Sequence, residues 1–329
     1  MSQSIQEEHI IPTDHAGKRL DQVAAILLSD YSRSRIKEWI TQGHIVVDGK
    51  TCRPKDKVFG GEFIVLSVEL EEEERWEPQN IALTVVYKDD DIIVINKPVG
   101  LVVHPGAGIA DGTLLNALLY HFPELATLPR AGIVHRLDKD TSGLMVVARS
   151  LLAHTSLVQQ LQDRSLGREY EAIVMGELTG GGMIDKPIGR HPTQRIKMAV
   201  IDMPNANAKD AVTHYRLVKR FVGYTHIACQ LETGRTHQIR VHLSHIKHPL
   251  LGDRVYLSRQ RWVSGTSEPL KEVLKSFGRQ ALHAKRLTLT HPHSFEEMSW
   301  QVDLPEDMQG LLQALHEEAG VQRRVDDNG

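Results

Sequence analysis

The amino-acid sequence predicts an α+β chain in two modules, a small basic one followed by a larger domain built on strands. Three observations carry that expectation. Short stretches with apolar residues at helical spacing alternate with β-branched runs bounded by Gly, Asp or Pro. An acidic run, Glu71–Glu74, is followed by Trp76-Glu-Pro78 and reads as a linker. At 329 residues the chain is long enough for two domains, each with its own core. The expected division is a flexible N-terminus over 1–14, a first module over 15–75, a linker over 76–80, the larger domain over 81–318 and a frayed tail over 319–329.

Composition narrows the class. Hydrophobic residues make up 41% and charged residues 25%, ordinary values for a globular protein. No apolar run reaches membrane-spanning length, and the N-terminus lacks the basic-then-apolar order of a signal peptide. The two cysteines, Cys52 and Cys229, form no metal or redox spacing, so reduced thiols in a cytoplasm are expected. The net charge of -3 gives no global attraction to nucleic acid. Between Lys18 and Lys57, however, basic residues outnumber acidic ones, and phosphate binding follows the local patch.

Taken in order, Arg19–Leu28 and Ser32–Ile40 read as helices, with Ser32 as N-cap of the second and Ile36, Trp39 and Ile40 as its inward stripe. Arg33, Arg35 and Lys37 then crowd its polar side. Gly43–Lys50 reads as a short strand with an Asp-Gly turn, and Phe63–Val68 as another strand. Past the linker, Leu83–Tyr87 and Ile92–Ile95 form a hairpin about Lys88–Asp91. Asn96–Gly108 is an extended loop in which Lys97 or His104 could face a ligand; its glycines match no phosphate loop. Thr113–Leu119 and Ala153–Gln162 read as helices. Leu144–Ala148, Arg168–Met175, Ala211–Val218 and Tyr224–Leu231 read as strands. Gly189–Lys197 is a basic loop, Thr233–Leu243 opens a helix, and a polar insertion runs from Leu257 to about Arg279.

The charges concentrate in Gly132–Gly143, where His135, Arg136, Asp138, Lys139 and Asp140 precede a buried strand. Taken alone, such a loop serves equally as a catalytic connection or as a solvated turn with ion pairs. Asp138 and Asp140 share a side if the segment is extended, about 6–7 Å apart, which suggests a glycosidase-like carboxylate pair. Those enzymes place the two groups across the sugar, so the pair by itself is weak. His237, His242, His245 and His248 crowd one segment, yet no Glu or Cys completes a metal set, and hydrogen-bonding histidines beside a basic cleft are the simpler expectation.

Motif order says more. The front module, through Arg19-Leu-Asp21, Ser32-Arg-Ser-Arg35 and Val46–Lys50, resembles an S4-type RNA-binding domain. His135–Gly143, Arg168-Glu-Tyr170, Glu232–His242 and Pro249-Leu-Leu-Gly-Asp253, in that order, resemble the RluA family of pseudouridine synthases from about Ile81 to Pro305. The resemblance implies a catalytic domain on a central, mostly antiparallel mixed sheet flanked by helices and loops. It implies an isomerase that detaches uracil from C1′ of a uridine and rejoins it through C5, with no cofactor and no metal. Asp138 matches the essential aspartate, either as nucleophile or as base at C2′. An aspartate serves either role only when ionised, which a guanidinium beside it favours. Arg235 matches the position expected to pair with it, Tyr170 the tyrosine that stacks on the base, and Ile239 the apolar residue that packs against it. Arg136 matches the side chain that enters the RNA stack as the uridine flips out. By the S4 resemblance, Arg33, Arg35 and Lys37 are the residues expected to grip RNA. The implied partner is 23S ribosomal RNA, at a stem-loop forming a subunit bridge, or the assembling large ribosomal subunit, met by a monomer without any membrane. Two other readings stay open on the residues: a non-catalytic RNA-binding assembly factor, and a glycosidic hydrolase using Asp138 and Asp140.

Overall fold

The computed structural model describes residues 4–28, 31, 33–69, 76–106, 109–194, 197–202, 208–257, 263 and 265–326. The first module contains strand β1 (Ser4–Ile10), helices α1 (Leu20–Leu27) and α2 (Arg33–Gln42), and strands β2 (Ile45–Val47), β3 (Lys50–Thr51) and β4 (Phe63–Glu69). Its sheet runs β1-β4-β2-β3, antiparallel throughout. Leu20, Val23, Ile36, Trp39 and Ile40 of the two helices close over Ile45, Ile64 and Leu66 of the sheet. This is the inward stripe that the helical spacing predicts.

The start of the chain departs from expectation. Ser4–Ile10 is not a loose tail but an edge strand along β4, in register from Ser4 opposite Glu69 to Ile10 opposite Phe63. Ile5, Glu7 and His9 alternate toward the sheet face and Ile11 is fully buried, so a period of two is hidden within a polar sequence. The N-cap expected at Ser32 and the acidic run Glu71–Glu74 lie outside the described residues.

The larger domain comprises β5 (Thr84–Lys88), β6 (Ile92–Lys97), α3 (Leu114–His121), β7 (Ser142–Ala148), α4 (Leu151–Gln162), β8 (Gly167–Met175) and β9 (Gly182–Asp185). Then follow β10 (Ile188–Arg190), β11 (Met198–Val200), β12 (Val212–Phe221), β13 (Tyr224–Leu231), α5 (Gln238–His245) and α6 (Glu268–Ser276). β14 (Leu282–Thr290), β15 (Glu297–Gln301) and α7 (Glu306–Asp326) complete it. The main sheet has the order β5-β6-β7-β14-β8-β13-β12-β9, with β15 also on β14. Its pairings are antiparallel except β7 with β14, so the sheet is mixed and mostly antiparallel. At that parallel contact Gly143 has φ +113°, and a Cβ there would lie 2.2 Å from the Ala284 carbonyl oxygen. Glycine is what lets the two strands meet.

Alternation along the strands sends side chains to three core clusters on the two faces of the sheet. Ile93, Ile95, Met145, Val147, Ala172 and Ile227 pack under α3 and α5. Ile92, Val94, Leu144 and Val146 pack against α4, while Ile173 and Tyr224 meet α6 and α7. β7 is buried at all seven positions, as its unbroken apolar run predicts. Thr113 and Asn116 form a capping box on α3, and the Ser150 hydroxyl accepts from the Ala153 N–H to cap α4.

Two further expectations change. The polar insertion after Leu257 carries helix α6, capped by Ser267 and holding Leu270 and Leu274 inward; residues 258–262 and 264 within it lie outside the described set. The expected frayed tail is helical in backbone as far as Asp326, as the end of α7. No helix among the described residues is long and apolar enough to cross a membrane.

Candidate active site

Asp138 lies on the connection that enters β7, and the backbone around it is tied down on several sides. Lys97, at the end of β6, is buried and donates its ammonium protons to the carbonyls of Pro98 (2.8 Å), Leu101 (2.9 Å) and Lys139 (3.0 Å). Burial pushes the Lys97 pKa down to about 8. Thr141 N–H donates to the Asp138 carbonyl at 3.1 Å, closing a turn over Lys139 and Asp140. Upstream, His135 accepts the Val146 N–H on Nε2 at 3.1 Å, and burial lowers its pKa to about 3, which keeps the ring neutral. Lys97 therefore clamps this loop and does not face a ligand, whereas His104 does line the cleft described below.

The turn also separates the two aspartates. Asp138 faces the main cleft, and Asp140 lines a different groove with Lys139, Arg254 and Arg279. An extended segment would have put them on one side; the turn removes the carboxylate pair on which a two-aspartate hydrolase depends.

The Asp138 carboxylate accepts from Arg240 Nη1 at 2.8 Å, and its other oxygen lies 3.8 Å from His237 Nε2. Arg240 is itself fixed by Asp253 through two parallel bonds, Nε at 2.7 Å and Nη2 at 2.9 Å. The Asp253 side chain is completely buried and also accepts from the N–H groups of Val255 and Tyr256. Burial alone would raise its pKa, but these bonds hold it below the usual carboxylate value. The Tyr256 ring lies 5.1 Å from the Arg240 guanidinium, and its hydroxyl is 2.8 Å from His237 Nδ1. The aspartate thus meets a cation whose position is set by a second, buried carboxylate.

Arg235 is not that cation. Its Nε donates to the Asp210 carbonyl at 2.9 Å, and its N–H to Gln238 Oε1 at 3.0 Å. The helix expected from Thr233 begins only at Gln238, because His237 adopts a left-handed conformation with φ +57°. Arg235 therefore stays on the preceding loop, while Arg240 lies in the first turn of α5 with its side chain against Asp138. Pro249–Asp253 was recognisable as a motif, but only the fold brings Asp253 to this helix.

The other expected residues share one cleft of about 750 Å³. Tyr170, on β8, and Ile239, on α5, are buried in its wall, and burial raises the Tyr170 phenol pKa. Arg136 is exposed at its edge. Arg130, Arg136, Arg164, Arg168, Arg235 and Arg240 all line the cleft, and Asp138 is the single carboxylate among its described lining residues. Such a surface suits a polyanion. Arg164, Arg168 and Arg240 received no role from the sequence.

The clustered histidines act as hydrogen-bond partners. His242 bonds Thr213 and the Lys186 carbonyl, each at 2.9 Å, and His248 bonds the Met175 carbonyl at 2.9 Å. In the first module Arg33 and Lys37 are exposed on α2, while Arg35 is half-buried with its guanidinium 5.7 Å from the Trp39 ring centre.

Comparison with known proteins agrees with this geometry. Residues 91–245 match the model of the RNA pseudouridylate synthase family, and residues 18–64 match that of the S4 domain. The chain is 54% identical over 316 residues to ribosomal large subunit pseudouridine synthase D of Escherichia coli (strain K12), covering 96% of each. It is 53% identical over 324 residues to the protein of the same name from Vibrio cholerae, covering 98% of this chain and 99% of that one. Among solved structures, human RNA pseudouridylate synthase domain containing 4 superposes with a TM-score of 0.55 at 29% identity, over 71% of this chain and 93% of that one. With identity of this order across almost the entire length, and the aspartate, tyrosine and arginines gathered in one basic cleft, the chain belongs to the RNA pseudouridylate synthase family.

Proposed function

We propose that this protein converts uridines to pseudouridines in 23S ribosomal RNA, at a stem-loop forming a subunit bridge, with Asp138 as the reacting carboxylate. The substrate follows from the relatives' name, large ribosomal subunit RNA, and from the S4 module at the front of the chain. The reaction is balanced within the nucleoside. The N1–C1′ bond breaks, the uracil turns, C5 bonds to C1′, and the proton lost from C5 is replaced by one at N1. No oxidant, reductant or co-reactant is needed.

One observation carries the assignment of Asp138: it is the single carboxylate among the described residues of a cleft lined by six arginines, and Arg240 holds it at 2.8 Å. A carboxylate so placed serves either as nucleophile at C1′ or as base at C2′. Tyr170, in the same wall, offers a ring for the detached base and a hydroxyl for proton movement at C5, while Ile239 packs against the base. Arg136, exposed at the edge, fills the gap in the RNA stack when the uridine leaves it. The basic face of α2 holds the RNA outside the cleft.

The test is tritium release from ribosomal RNA labelled at uridine C5, with Asp138→Asn in parallel. Release by the wild type that disappears in the variant, with RNA binding retained, supports the proposal. Equal release by both proteins would remove Asp138 from the chemistry, and release of free uracil would replace isomerisation by hydrolysis.

A further inference from the structure

Arg168 lies two residues before Tyr170 on β8, so both side chains project to the same side of the sheet, about 7 Å apart along the strand. Its side chain is buried, with 6% of the residue exposed, yet it belongs to the cleft lining. Among the described residues it makes no ion pair. Among those residues its one hydrogen bond is a long one of 3.4 Å from Nη2 to the Glu232 carbonyl, and its buried Nε has no partner there. The Glu232 carboxylate is already engaged by Arg164 and His214.

A guanidinium cannot shed its charge at ordinary pH, and burying one without a counter-ion is costly. Burial lowers the Arg168 pKa, and the nearby Arg235 pushes in the same direction. Backbone geometry nevertheless accommodates it. A Cβ on Gly234 would lie 2.5 Å from Arg168 Nη1, so this glycine leaves the space that the guanidinium occupies. Its neighbour Arg240 shows the contrast: that guanidinium is matched by two carboxylates, Asp138 and Asp253. The unmatched cation lines the same cleft as Asp138, Arg240 and Tyr170.

We propose that Arg168 is a substrate-binding residue whose missing counter-ion is a phosphate of the RNA, one of the two flanking the uridine held at Tyr170. The assignment rests on the placement of the target base in this cleft, proposed above. With the base on Tyr170 and the sugar over Asp138, the backbone phosphates of the same nucleotide are the anions within reach of a side chain two strand positions away. Arg168 thereby fixes where the sugar stands relative to Asp138, and the buried charge is compensated only when RNA is bound.

A thermodynamic cycle between protein and RNA tests this without depending on one variant. Stem-loop RNA is prepared with a neutral methylphosphonate in place of each flanking phosphate in turn. kcat and KM are measured by tritium release for the wild type, Arg168→Lys and Arg168→Met, and the melting temperature of each protein is recorded. Loss of one charge-assisted contact should lower kcat/KM of the wild type by about tenfold to a hundredfold at one of the two positions. The same methylphosphonate should cost Arg168→Met less than about threefold, because the partner is already gone. Arg168→Lys should keep part of the coupling. If both methylphosphonates cost the variants as much as they cost the wild type, Arg168 does not bind phosphate and the inference fails. Wild type that isomerises neither the unmodified nor the modified RNA would instead overturn the placement of the base.

Discussion

Asp138 and Arg240 are 102 positions apart in sequence and 2.8 Å apart in space, with Asp253 completing the line on the far side of the guanidinium. Removing the central cation therefore has two effects. Arg240→Leu should abolish tritium release and should also destabilise the fold by about 3–5 kcal/mol, because Asp253 is left as a buried charge without its partner. Arg235→Leu should unfold at nearly the wild-type urea concentration and keep measurable turnover, since its bonds go to a backbone carbonyl on the loop. Equal loss of turnover in the two variants, with both folded, would show that the Asp138–Arg240 pair is not the decisive contact.

Lys97 makes a separate claim about the loop. Lys97→Met keeps the length of the side chain but leaves the carbonyls of Pro98, Leu101 and Lys139 without their donor. The expected cost is about 2–4 kcal/mol, as more than one buried carbonyl loses its bond. Turnover should fall more than RNA affinity, because the loop carrying Asp138 is loosened while the basic surface is intact. A variant with unchanged stability and kcat would show that the clamp is dispensable.

For the first module, the double variant Arg33→Ala with Lys37→Ala removes two exposed cations. RNA affinity should fall, and the slope of log affinity against log salt should flatten by about 1.5. Arg35→Ala should behave differently and lower the melting temperature as well, because its guanidinium lies by Trp39, whose ring is part of the module's core. An unchanged slope in the double variant would take α2 out of the RNA interface.

Glu171 gives a pH dependence with a definite sign. Burial would raise its pKa, but hydrogen bonds from His226 and Lys285 outweigh it and bring the value from 4.5 down to about 2. The folded state therefore releases this proton more readily than the unfolded chain. The resulting stability is present above about 4.5 and is lost as pH falls toward about 2. Melting temperature should decline through this window, and Glu171→Gln should flatten that part of the curve. A parallel decline in both proteins would locate the effect elsewhere.

Much of the fold was readable from local pattern. β7 is buried at every position around its apolar run Leu144–Ala148, α2 carries its inward stripe at Ile36, Trp39 and Ile40, and the hairpin of β5 and β6 follows from two β-branched runs about an aspartate turn. β1 was not readable, because Glu7 and His9 occupy its half-buried positions and conceal the alternation. The helix within the insertion was missed for a related reason: its inward residues, Leu270 and Leu274, are few among charges.

The sequence alone pointed to the family, the two modules and the residues Asp138, Tyr170, Ile239 and Arg136, which line one cleft, because each sits in a short motif whose order along the chain is itself informative. The tertiary structure decided which arginine faces the aspartate. Two candidates five residues apart lie on either side of the left-handed turn at His237, after which α5 packs Ile239 and Leu243 into the core. It also decided that Asp138 and Asp140 part company, and that Arg168 is buried with no carboxylate partner among the described residues. Local sequence carries propensity and order, whereas charge pairing depends on distances that exist only once remote segments have packed together.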